Sequence, residues 1–310
     1  MENCSYFIKD KALFGSYPVQ ESINILEKEG VKFFVDLTYN TETKITLYYT
    51  KYNYYNFPIE DRSIPNNWYD FSVFITHIIN IIKKCDKDNK IYIHCKGGHG
   101  RSGVVVACIL KIFLNLDVSH SLELTRFYHS QRKNLKERWR KIGSPQTYKQ
   151  KQFVESFFKE LYFYKALKSN YTSGFSNFSL HKIKIKDIGI FHTSEAAYNS
   201  YKCEDKNYIQ KQINCKTPFN SRKLALEIKE TIHWKENKIK IMKKIIHIKL
   251  FQHEDFRNNL LNTGYRKIIF SDKNDDFWGL GRNGNGSNNL GKILTELRYE
   301  LYNNNNISLI

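Results

Sequence analysis

The sequence of 310 residues predicts two domains: an α/β domain in residues 1–165, with a central, mainly parallel sheet flanked by helices, and a mostly α-helical α+β domain in residues 166–310. Three observations support this prediction. Residues 90–116 carry a short apolar strand, a glycine-rich loop and an apolar helix, which is the unit of α/β folds. Small polar residues interrupt the helical pattern at 169–173. The second half then has a different order of elements and no internal repeat.

Hydrophobic periodicity defines the elements of the first half. Apolar residues spaced three and four apart indicate helices, and short apolar runs indicate buried strands. A helical region near the end of this half is interrupted at Gly143-Ser144-Pro145. In chain order, the pattern predicts a helix at 22–30, strands at 30–37 and 54–59, a helix at 67–84, a strand at 90–95, a helix at 104–116 and mostly helix at 119–165.

The second half opens with an alternating segment, which predicts a strand within residues 180–192. Residues 271–291 show neither helical nor strand periodicity and are dense in Gly and Asn. This pattern predicts a surface loop or the lining of a polar site. Helices are predicted at 194–203, 220–232, 236–251 and 292–302.

The net charge of +18 is spread over the chain, with +8 in residues 1–165 and +10 in residues 166–310. Both halves should therefore attract anions such as phosphates, nucleotides or nucleic acid. An AT-rich genome, which favours Lys, Ile, Asn and Tyr codons, explains the same composition equally well. The content of 41% hydrophobic residues is enough for folded cores and excludes a globally disordered chain.

The six cysteines, at positions 4, 85, 95, 108, 203 and 215, include no CxxC pair, which argues against a zinc ribbon or a thioredoxin-type motif. The first residues, MENCSYFIKDK, lack the apolar core of a signal peptide. The longest apolar run, residues 103–110, is far too short to span a membrane. We therefore expect a cytoplasmic protein in a reducing compartment, without a membrane partner.

The most specific motif is the run from His94 to Gly103, HCKGGHGRSG, which contains Cys-X5-Arg-Ser. A loop that wraps a phosphate must turn backbone N–H groups inward, and glycines permit the necessary dihedral angles. The helix that follows adds the positive end of its dipole. The predicted phosphate-binding residues are Lys96, Gly97, Gly98, His99, Gly100 and Arg101.

The same motif predicts a covalent mechanism. The field of the loop favours the thiolate of Cys95, which can attack phosphorus and form a cysteinyl-phosphate. Arg101 can grip two phosphate oxygens at once. Ser102 can hydrogen-bond the thiolate and assist its departure in the second step. His94 is expected to order the loop rather than to take part in the chemistry.

This loop resembles the signature of the cysteine-dependent protein phosphatases, and of their dual-specificity branch in particular. The resemblance implies a general acid on an upstream loop, and the segment 57–65, FPIEDRSIP, is similar to that loop. The acid aligns with Asp61, 34 residues before Cys95, and Glu60 is the rival. Asp36, at the end of a predicted strand, is expected to be structural.

The resemblance implies a phosphorylated protein or a small anionic phosphate as the substrate. Lys96 and His99 would add positive or titratable charge to the cradle, which weakly favours highly anionic substrates. The same charges could serve only to strengthen phosphate binding.

The second half carries scattered pieces rather than a nucleophile beside a base. Their order resembles the NADAR, or YbiA-like, family, with FSNF at 175–178, Glu195 followed by Lys202, an Asp-x-x-Trp-Gly loop at 275–279 and an Asn-x-Leu-Gly turn at 288–291. The resemblance covers essentially the whole half and implies hydrolysis of N-glycosidic bonds in ribosylated or ADP-ribosylated bases.

Glu195 is predicted to be the catalytic carboxylate and Asp275 the second, because Asp275 fits the Asp-x-x-Trp spacing better than Asp276. Ala196-Ala197 departs from the family, which usually has an aromatic residue or His shortly after the Glu. The residues expected to hold the ribose and base are Phe175, Asn177, Lys202, Trp234, Trp278, Gly279 and Asn288.

The sequence thus predicts a bifunctional hydrolase, a phosphatase joined to an N-glycosidase, that needs no metal and no organic cofactor. One alternative is a protein that binds phosphate or ADP-ribose with one or both sites inactive. The other is a basic nucleic-acid-binding protein, although no binding motif for nucleic acid is recognised.

Overall fold

The computed structural model describes residues 2–164 and 171–304. These residues form two compact units. The first holds the described residues up to Lys159 together with Asn303 and Asn304, and the second is Glu160–Tyr302. The domain boundary predicted near 166 lies outside the described residues.

A five-stranded sheet forms the centre of the first unit, in the order β1-β2-β5-β3-β4. Strands β1 and β2 pair antiparallel, and the other three pairs are parallel, so the sheet is mixed but mainly parallel. The strands are β1 Cys4–Ile8, β2 Ala12–Ser16, β3 Val31–Asp36, β4 Asn53–Asn56 and β5 Lys90–Cys95.

Six helices accompany this sheet, and side-chain caps fix the start of two of them. Asn67 accepts hydrogen bonds from the backbone of the first turn of α2, and Thr147 and Gln150 form a capping box at the start of α6. The helices are α1 Gln20–Lys28, α2 Trp68–Lys84, α3 Arg101–Phe113, α4 Val118–Ser130, α5 Glu137–Ile142 and α6 Tyr148–Phe158.

The apolar character of β5 and α3 positions the first site. All six residues of β5 are buried, as are the first ten of α3, so this strand and helix lie in the core. Parallel β3 and β2 flank β5 on its two sides. The loop of residues 96–100 therefore lies at the carboxyl end of a central parallel strand, where open α/β sheets bind ligands.

The described residues of the second unit form two small sheets, six α-helices and two short 3-10 helices. Strands β6 Leu161–Phe163 and β9 Ile268–Phe270 pair in parallel, and β7 Ile183–Ile185 and β8 Gly189–Phe191 form an antiparallel hairpin. Its apolar core includes Trp234, Met242 and Ile246 from one long helix, α10. The helices are α7 Ser194–Asn199, α8 Lys206–Asn214, α9 Pro218–Leu226, α10 Ile232–Gln252, α11 Glu254–Leu261 and α12 Asn289–Asn304.

The predicted helices and strands of the first half are present, but several elements differ from the predictions. Strands β1 and β2 were not predicted, and the helix expected to run to 165 gives way to β6. In the second unit, α8, α11 and β9 were not predicted, and the helix expected at 220–232 ends at Leu226. Strands β6 and β9 are three residues each and lie about a hundred residues apart, so local periodicity cannot reveal their pairing.

Among the helices in the described part of the chain, none combines the length and the apolar character that a membrane span requires.

Candidate active sites

The loop between β5 and α3 is tightly packed at its glycines. Gly98 has φ +70°, and a Cβ there would lie 2.4 Å from the carbonyl carbon of Gly15. A Cβ at Gly100 would lie 2.7 Å from Nε2 of Gln150. Larger residues at these two positions would therefore displace backbone or the buried Gln150, which explains the glycines of the motif.

Two side chains, one just after α4 and one just after α5, hold the loop in place. Arg132, which is buried, donates a hydrogen bond of 2.8 Å to the Gly98 carbonyl, and Ser144 donates one of 2.6 Å to the His99 carbonyl. Because these bonds fix the backbone, the loop is preorganised before any ligand binds.

His99 does not add charge to the cradle, which corrects the expectation from the sequence. Its Nδ1 lies 2.8 Å from Nε2 of His129, and its ring stacks on Trp139 with 4.6 Å between centroids. Burial, with a further contribution from Arg132, lowers the pKa of His99 to about 4, so the ring is neutral at pH 7.

Cys95 is buried at the end of β5, and its Sγ lies 3.5 Å from Oγ of Ser102. Nε2 of His94 lies 2.7 Å from the Tyr48 hydroxyl, and its Nδ1 lies 3.7 Å from Oδ1 of Asp36. Burial lowers the pKa of His94 to about 4. His94 is therefore a neutral, fully buried histidine held by Tyr48, and its role in ordering the loop stays a prediction.

Arg101 joins the loop to the segment that carries the predicted acid. Its guanidinium donates a hydrogen bond of 3.0 Å to Asp61 and one of 2.9 Å to the carbonyl of Ile59. Glu60 is exposed and makes no described contact with Arg101. Of the two rival carboxylates, Asp61 is therefore the one that lies beside Arg101.

Two other predicted residues have defined partners. Asp36 accepts hydrogen bonds from the backbone and hydroxyl of Thr38 and from the hydroxyl of Tyr54, which is a structural role. Lys96 donates a hydrogen bond of 2.7 Å to the carbonyl of Thr43 and so ties the loop to the segment after β3.

Glu42 is a residue that the sequence analysis missed. Both of its carboxylate oxygens accept hydrogen bonds from Arg101, one to each terminal nitrogen. The Arg101 side chain is almost fully buried, and burial and the Glu42 contact act on its pKa in opposite directions, with a net rise. No motif surrounds Glu42 in the sequence, so only the folded chain reveals this pair.

Glu42→Gln should lower kcat/KM for phosphomonoester hydrolysis by about 100-fold, the scale on which a misplaced binding group acts. The substitution removes one of the two carboxylates that orient Arg101, because an amide offers one acceptor oxygen. Steady-state kinetics with p-nitrophenyl phosphate measure the effect. The control is Glu21→Gln, an exposed carboxylate on α1. Equal activity of the two variants would show that Glu42 does not position Arg101.

The second unit contains a cavity of about 240 Å³. Its walls come from the segment after residue 171, from α7, α9 and α10, and from the loop after β9. The lining residues are Ser176, Asn177, Phe178, Glu195, Tyr198, Asn199, Lys202, Arg222, Ala225, Leu226, Glu230, Trp234, Lys238, Met242, Phe270, Asp272, Asp275, Phe277, Trp278 and Leu290.

Glu195 occupies the first turn of α7 and faces this cavity. Its backbone N–H donates to the Asn177 carbonyl at 3.1 Å, and Oε1 lies 3.5 Å from Nδ2 of Asn199. Burial raises the pKa of the Glu195 carboxyl to about 7, Arg222 opposes this rise and Asp275 adds to it. A carboxyl group that titrates near neutrality in a cavity is typical of a functional site.

Asp275 and Trp278 lie on the opposite segment of the same cavity. Oδ1 of Asp275 accepts hydrogen bonds from the N–H groups of Phe277 and Trp278, at 3.0 and 2.7 Å. The Trp278 ring contacts Tyr198 edge to face at 5.6 Å, and Tyr198 packs on Trp234 at 4.6 Å. These rings form an aromatic wall suited to a planar base.

Cations also face this cavity. Lys202 lies 3.5 Å from Glu230 and donates to the Ala225 carbonyl at 3.2 Å. Lys238 lies over the Phe277 ring, 3.6 Å from its centroid. With Arg222, they place three cations among the four carboxylates of the lining, which are Glu195, Glu230, Asp272 and Asp275.

Three of the predicted ribose- and base-binding residues do not line the cavity. Phe175 is fully buried in the core, where it contacts Phe163 and Phe256. Asn288 accepts from Phe270 N–H at 3.0 Å and donates to the Ile268 carbonyl at 2.9 Å, so it fastens β9 to the start of α12. Gly279 is buried in the turn, where a Cβ would lie 2.8 Å from the carbonyl oxygen of Asp272.

Other lining residues were missed by the sequence analysis, among them Tyr198, Arg222 and Asp272. Tyr198 could have been found, because it lies three positions after Glu195 and so on the same face of a helix. Ala196 and Ala197 are fully buried, and Tyr198 supplies an aromatic ring to the cavity. No signal in the sequence pointed to Arg222 or Asp272.

Two family comparisons agree with this division of the chain. Residues 11–113 match the family described as "Polymorphic toxin system, DSP-PTPase phosphatase", and residues 162–302 match the NADAR domain. The first range contains Cys95, Arg101 and Asp61, and the second contains the whole lining of the cavity.

Curated proteins similar to each half, and to the whole chain, are known. "Putative tyrosine phosphatase 067L" of Invertebrate iridescent virus 3 is 42% identical over 51% of this chain and 66% of its own length. "Putative tyrosine phosphatase 197R" of Invertebrate iridescent virus 6 is 30% identical over 98% of this chain and 97% of its own length. "N-glycosidase YbiA" of Shigella flexneri serotype 5b is 33% identical over 41% of this chain and 80% of its own length.

The fold and the two sites define a hydrolase with a phosphatase-like half and a YbiA-like half. The chain belongs to the family in which an N-terminal DSP-PTPase phosphatase domain is joined to a C-terminal NADAR domain. The resemblance to both families, predicted from the sequence motifs, is confirmed.

Proposed function

We propose that the first unit hydrolyses phosphomonoesters through a cysteinyl-phosphate, with Cys95 as the nucleophile, Arg101 as the phosphate clamp and Asp61 as the general acid. The observation that supports this most is the junction at Arg101. One short glycine loop separates Cys95 from Arg101, the first residue of α3. The guanidinium of Arg101 donates a hydrogen bond of 3.0 Å to Asp61. Nucleophile, clamp and acid thus converge although 34 residues separate Asp61 from Cys95.

The contact between Arg101 and Asp61 also suggests how the acid engages. A dianionic phosphate that enters the loop competes for the guanidinium, because Arg101 can bind two phosphate oxygens in parallel. Asp61, which is more than half exposed, is then released from Arg101 and free to turn to the leaving oxygen. The released Asp61 takes up a proton from solvent. The Cys95 thiolate attacks phosphorus as the bond to the ester oxygen breaks, and that oxygen takes the proton of Asp61. Water then attacks the cysteinyl-phosphate and gives a proton to Asp61, so that inorganic phosphate leaves and the Cys95 thiolate is restored.

The covalent intermediate is tested by trapping it. Ser102 lies 3.5 Å from the sulfur and is positioned to assist the thiolate as it leaves phosphorus. Rapid quenching of Ser102→Ala with a labelled phosphomonoester should yield protein-bound phosphate at Cys95, identified by mass spectrometry. Turnover without any labelled protein, in this variant and in the parent chain, would exclude the covalent route.

Asp61→Asn should lower turnover at least about 100-fold with poor leaving groups, the usual scale of general acid catalysis. An asparagine cannot supply the proton, whereas a leaving group that departs as a stable anion needs none. A series of aryl phosphates of increasing leaving-group acidity measures the difference, and the loss should shrink along it.

Glu60→Gln is the matched control for Asp61→Asn, since Glu60 is adjacent and exposed. It should leave the leaving-group dependence of the parent chain unchanged. If Glu60→Gln causes the larger loss, the acid is assigned to the wrong residue.

The second unit is proposed to hydrolyse the N-glycosidic bond of a ribosylated or ADP-ribosylated base. This proposal rests on the cavity where Glu195 and Asp275 face an aromatic wall that includes Trp278. The ionised Glu195 can stabilise an oxocarbenium-like sugar carbon or activate the attacking water. Asp275, through its bonds to the N–H groups of Phe277 and Trp278, holds the loop that presents the tryptophan.

The substrate classes are tested with the intact chain. Release of free base from ribosylated and ADP-ribosylated bases, followed by mass spectrometry, tests the second unit. Release of inorganic phosphate from phosphoproteins and from small anionic phosphates tests the first. An intact chain that binds these compounds and releases neither product would favour the binding-protein alternative.

A further inference from the structure

A cluster of metal-ligating side chains lies in the second unit, separate from the cavity of Glu195. His181 precedes β7, His253 connects α10 to α11, and Asp255 lies in the first turn of α11. One donor atom from each of the three residues lies within 4.8 Å of the other two. None of the three lines the cavity.

Both histidines have an outer partner on one ring nitrogen. Nε2 of His253 lies 2.7 Å from the carbonyl of Lys182, to which it can only donate, so Nδ1 keeps its lone pair. Nδ1 of His181 lies 3.0 Å from Oγ of Ser179, while Nε2 faces Oδ2 of Asp255 at 3.0 Å. Metal-bound histidines almost always have such a partner on the second nitrogen, because it fixes the tautomer and the ring orientation.

The spacing of the three groups is close to that of a coordination sphere. The His181 and His253 rings lie nearly perpendicular, with 4.8 Å between centroids. Around a zinc ion with bonds of about 2.0–2.1 Å, neighbouring donors lie roughly 3.3 Å apart. The side chain of Asp255 is 68% exposed and can rotate to close the remaining distance, while the better buried His181 stays in place.

We propose that His181, His253 and Asp255 form a binding site for a divalent transition-metal ion, with Zn²⁺ as the best fit. Two imidazoles and one carboxylate match the ligands that zinc prefers, and water would complete a tetrahedral sphere. Calcium and magnesium fit poorly, because both require oxygen ligands.

Hydrogen bonds of Lys249 connect this site to the wall of the Glu195 cavity. Oγ of Ser179 accepts a hydrogen bond of 2.7 Å from Lys249, which is buried and also donates to the Ser176 carbonyl at 3.2 Å. Ser176 lines the cavity of Glu195. Metal binding would therefore restrain His181 and Ser179 and so stabilise this part of the second unit.

The test uses the full chain and Zn²⁺ in equilibrium dialysis under reducing conditions, with Co²⁺ as a spectroscopic probe. We expect the parent chain to bind one Zn²⁺ ion whose binding requires this cluster. His181→Ala and His253→Ala should each weaken its binding more than about 100-fold, because outer-shell partners alone are worth about 10–100-fold. His247→Ala is the matched control, an exposed histidine on α10 that is not part of the cluster, and should bind as the parent chain does.

The six free cysteines are the competing ligands, and Co²⁺ distinguishes them. Bound at the cluster, Co²⁺ should show ligand-field bands without thiolate charge-transfer absorption. Absence of Zn²⁺ binding, a thiolate spectrum, or equal affinity of His181→Ala, His253→Ala and the parent chain would each overturn the proposal. Should His253→Ala fail to fold, His253→Gln can still donate to the Lys182 carbonyl. We expect Zn²⁺ to raise the Tm of the parent chain, and His253→Gln should not show this rise.

Discussion

Cys95→Ser should abolish phosphomonoester turnover, with a loss on the order of 10⁴-fold or more, the scale seen when a catalytic nucleophile is removed. A serine hydroxyl at this position is not ionised near neutrality, so no cysteinyl-phosphate forms. Binding of phosphate should persist, because the glycine loop, its hydrogen bonds from Arg132 and Ser144, and Arg101 are unchanged. Hydrolysis of p-nitrophenyl phosphate and binding of inorganic phosphate by calorimetry measure the two effects separately.

Cys108→Ser is the matched control for Cys95→Ser, since Cys108 is a buried free cysteine of helix α3 that lies outside the Cys-X5-Arg-Ser motif. It tests whether replacing any buried cysteine in this unit reduces activity through misfolding. Full activity of Cys108→Ser with none in Cys95→Ser supports the covalent mechanism. Retained turnover in Cys95→Ser would refute that mechanism.

Glu195→Gln should lower release of free base by about 10²–10⁴-fold, the range expected for a group that acts in general acid–base catalysis. Glutamine keeps the size and much of the hydrogen bonding but removes the charge, so substrate binding should persist. The parent rate should rise as pH increases through about 7 and then level off, because burial raises the pKa of Glu195 to about 7 and the ionised form is the active one. The residual rate of Glu195→Gln should lack this step.

The pH profile and the matched control decide the role of Glu195. A parent rate that falls through the same range would assign Glu195 as an acid. Glu227→Gln, an exposed carboxylate at the end of α9 outside the cavity, should behave as the parent chain does. Undiminished release by Glu195→Gln would remove this residue from the mechanism.

Glu195→Gln should lower activity, but above pH 7 it should maintain or raise the stability of the fold. The pKa of Glu195 is raised from 4.5 to about 7, so the folded protein binds more protons than the unfolded chain between those values. This contribution to stability is complete below about pH 4.5 and is lost as pH rises through 7. Glu195→Gln avoids that loss. At pH 8 its Tm should therefore equal or exceed that of the parent chain, as measured by calorimetry.

The sequence alone determined the elements whose information is local. The loop HCKGGHGRSG lies between a strand and a helix, and glycine stereochemistry with a Cys-X5-Arg-Ser spacing is sufficient to recognise it. The long helices α2 and α10 were also predicted, to within a few residues, from the helical pattern of their own segments. The resemblance to both families likewise rested on short motifs and their order along the chain.

Only the tertiary structure decided which separated side chains meet. Glu42 reaches Arg101 across 59 positions, and Arg222 joins Glu195 in one cavity, although neither has a motif around it. His99, Phe175 and Asn288 lie in or beside motifs, yet their side chains bind His129, the apolar core and β9. A motif specifies residue types and spacing, whereas the direction of a side chain depends on backbone and packing contacts from distant segments.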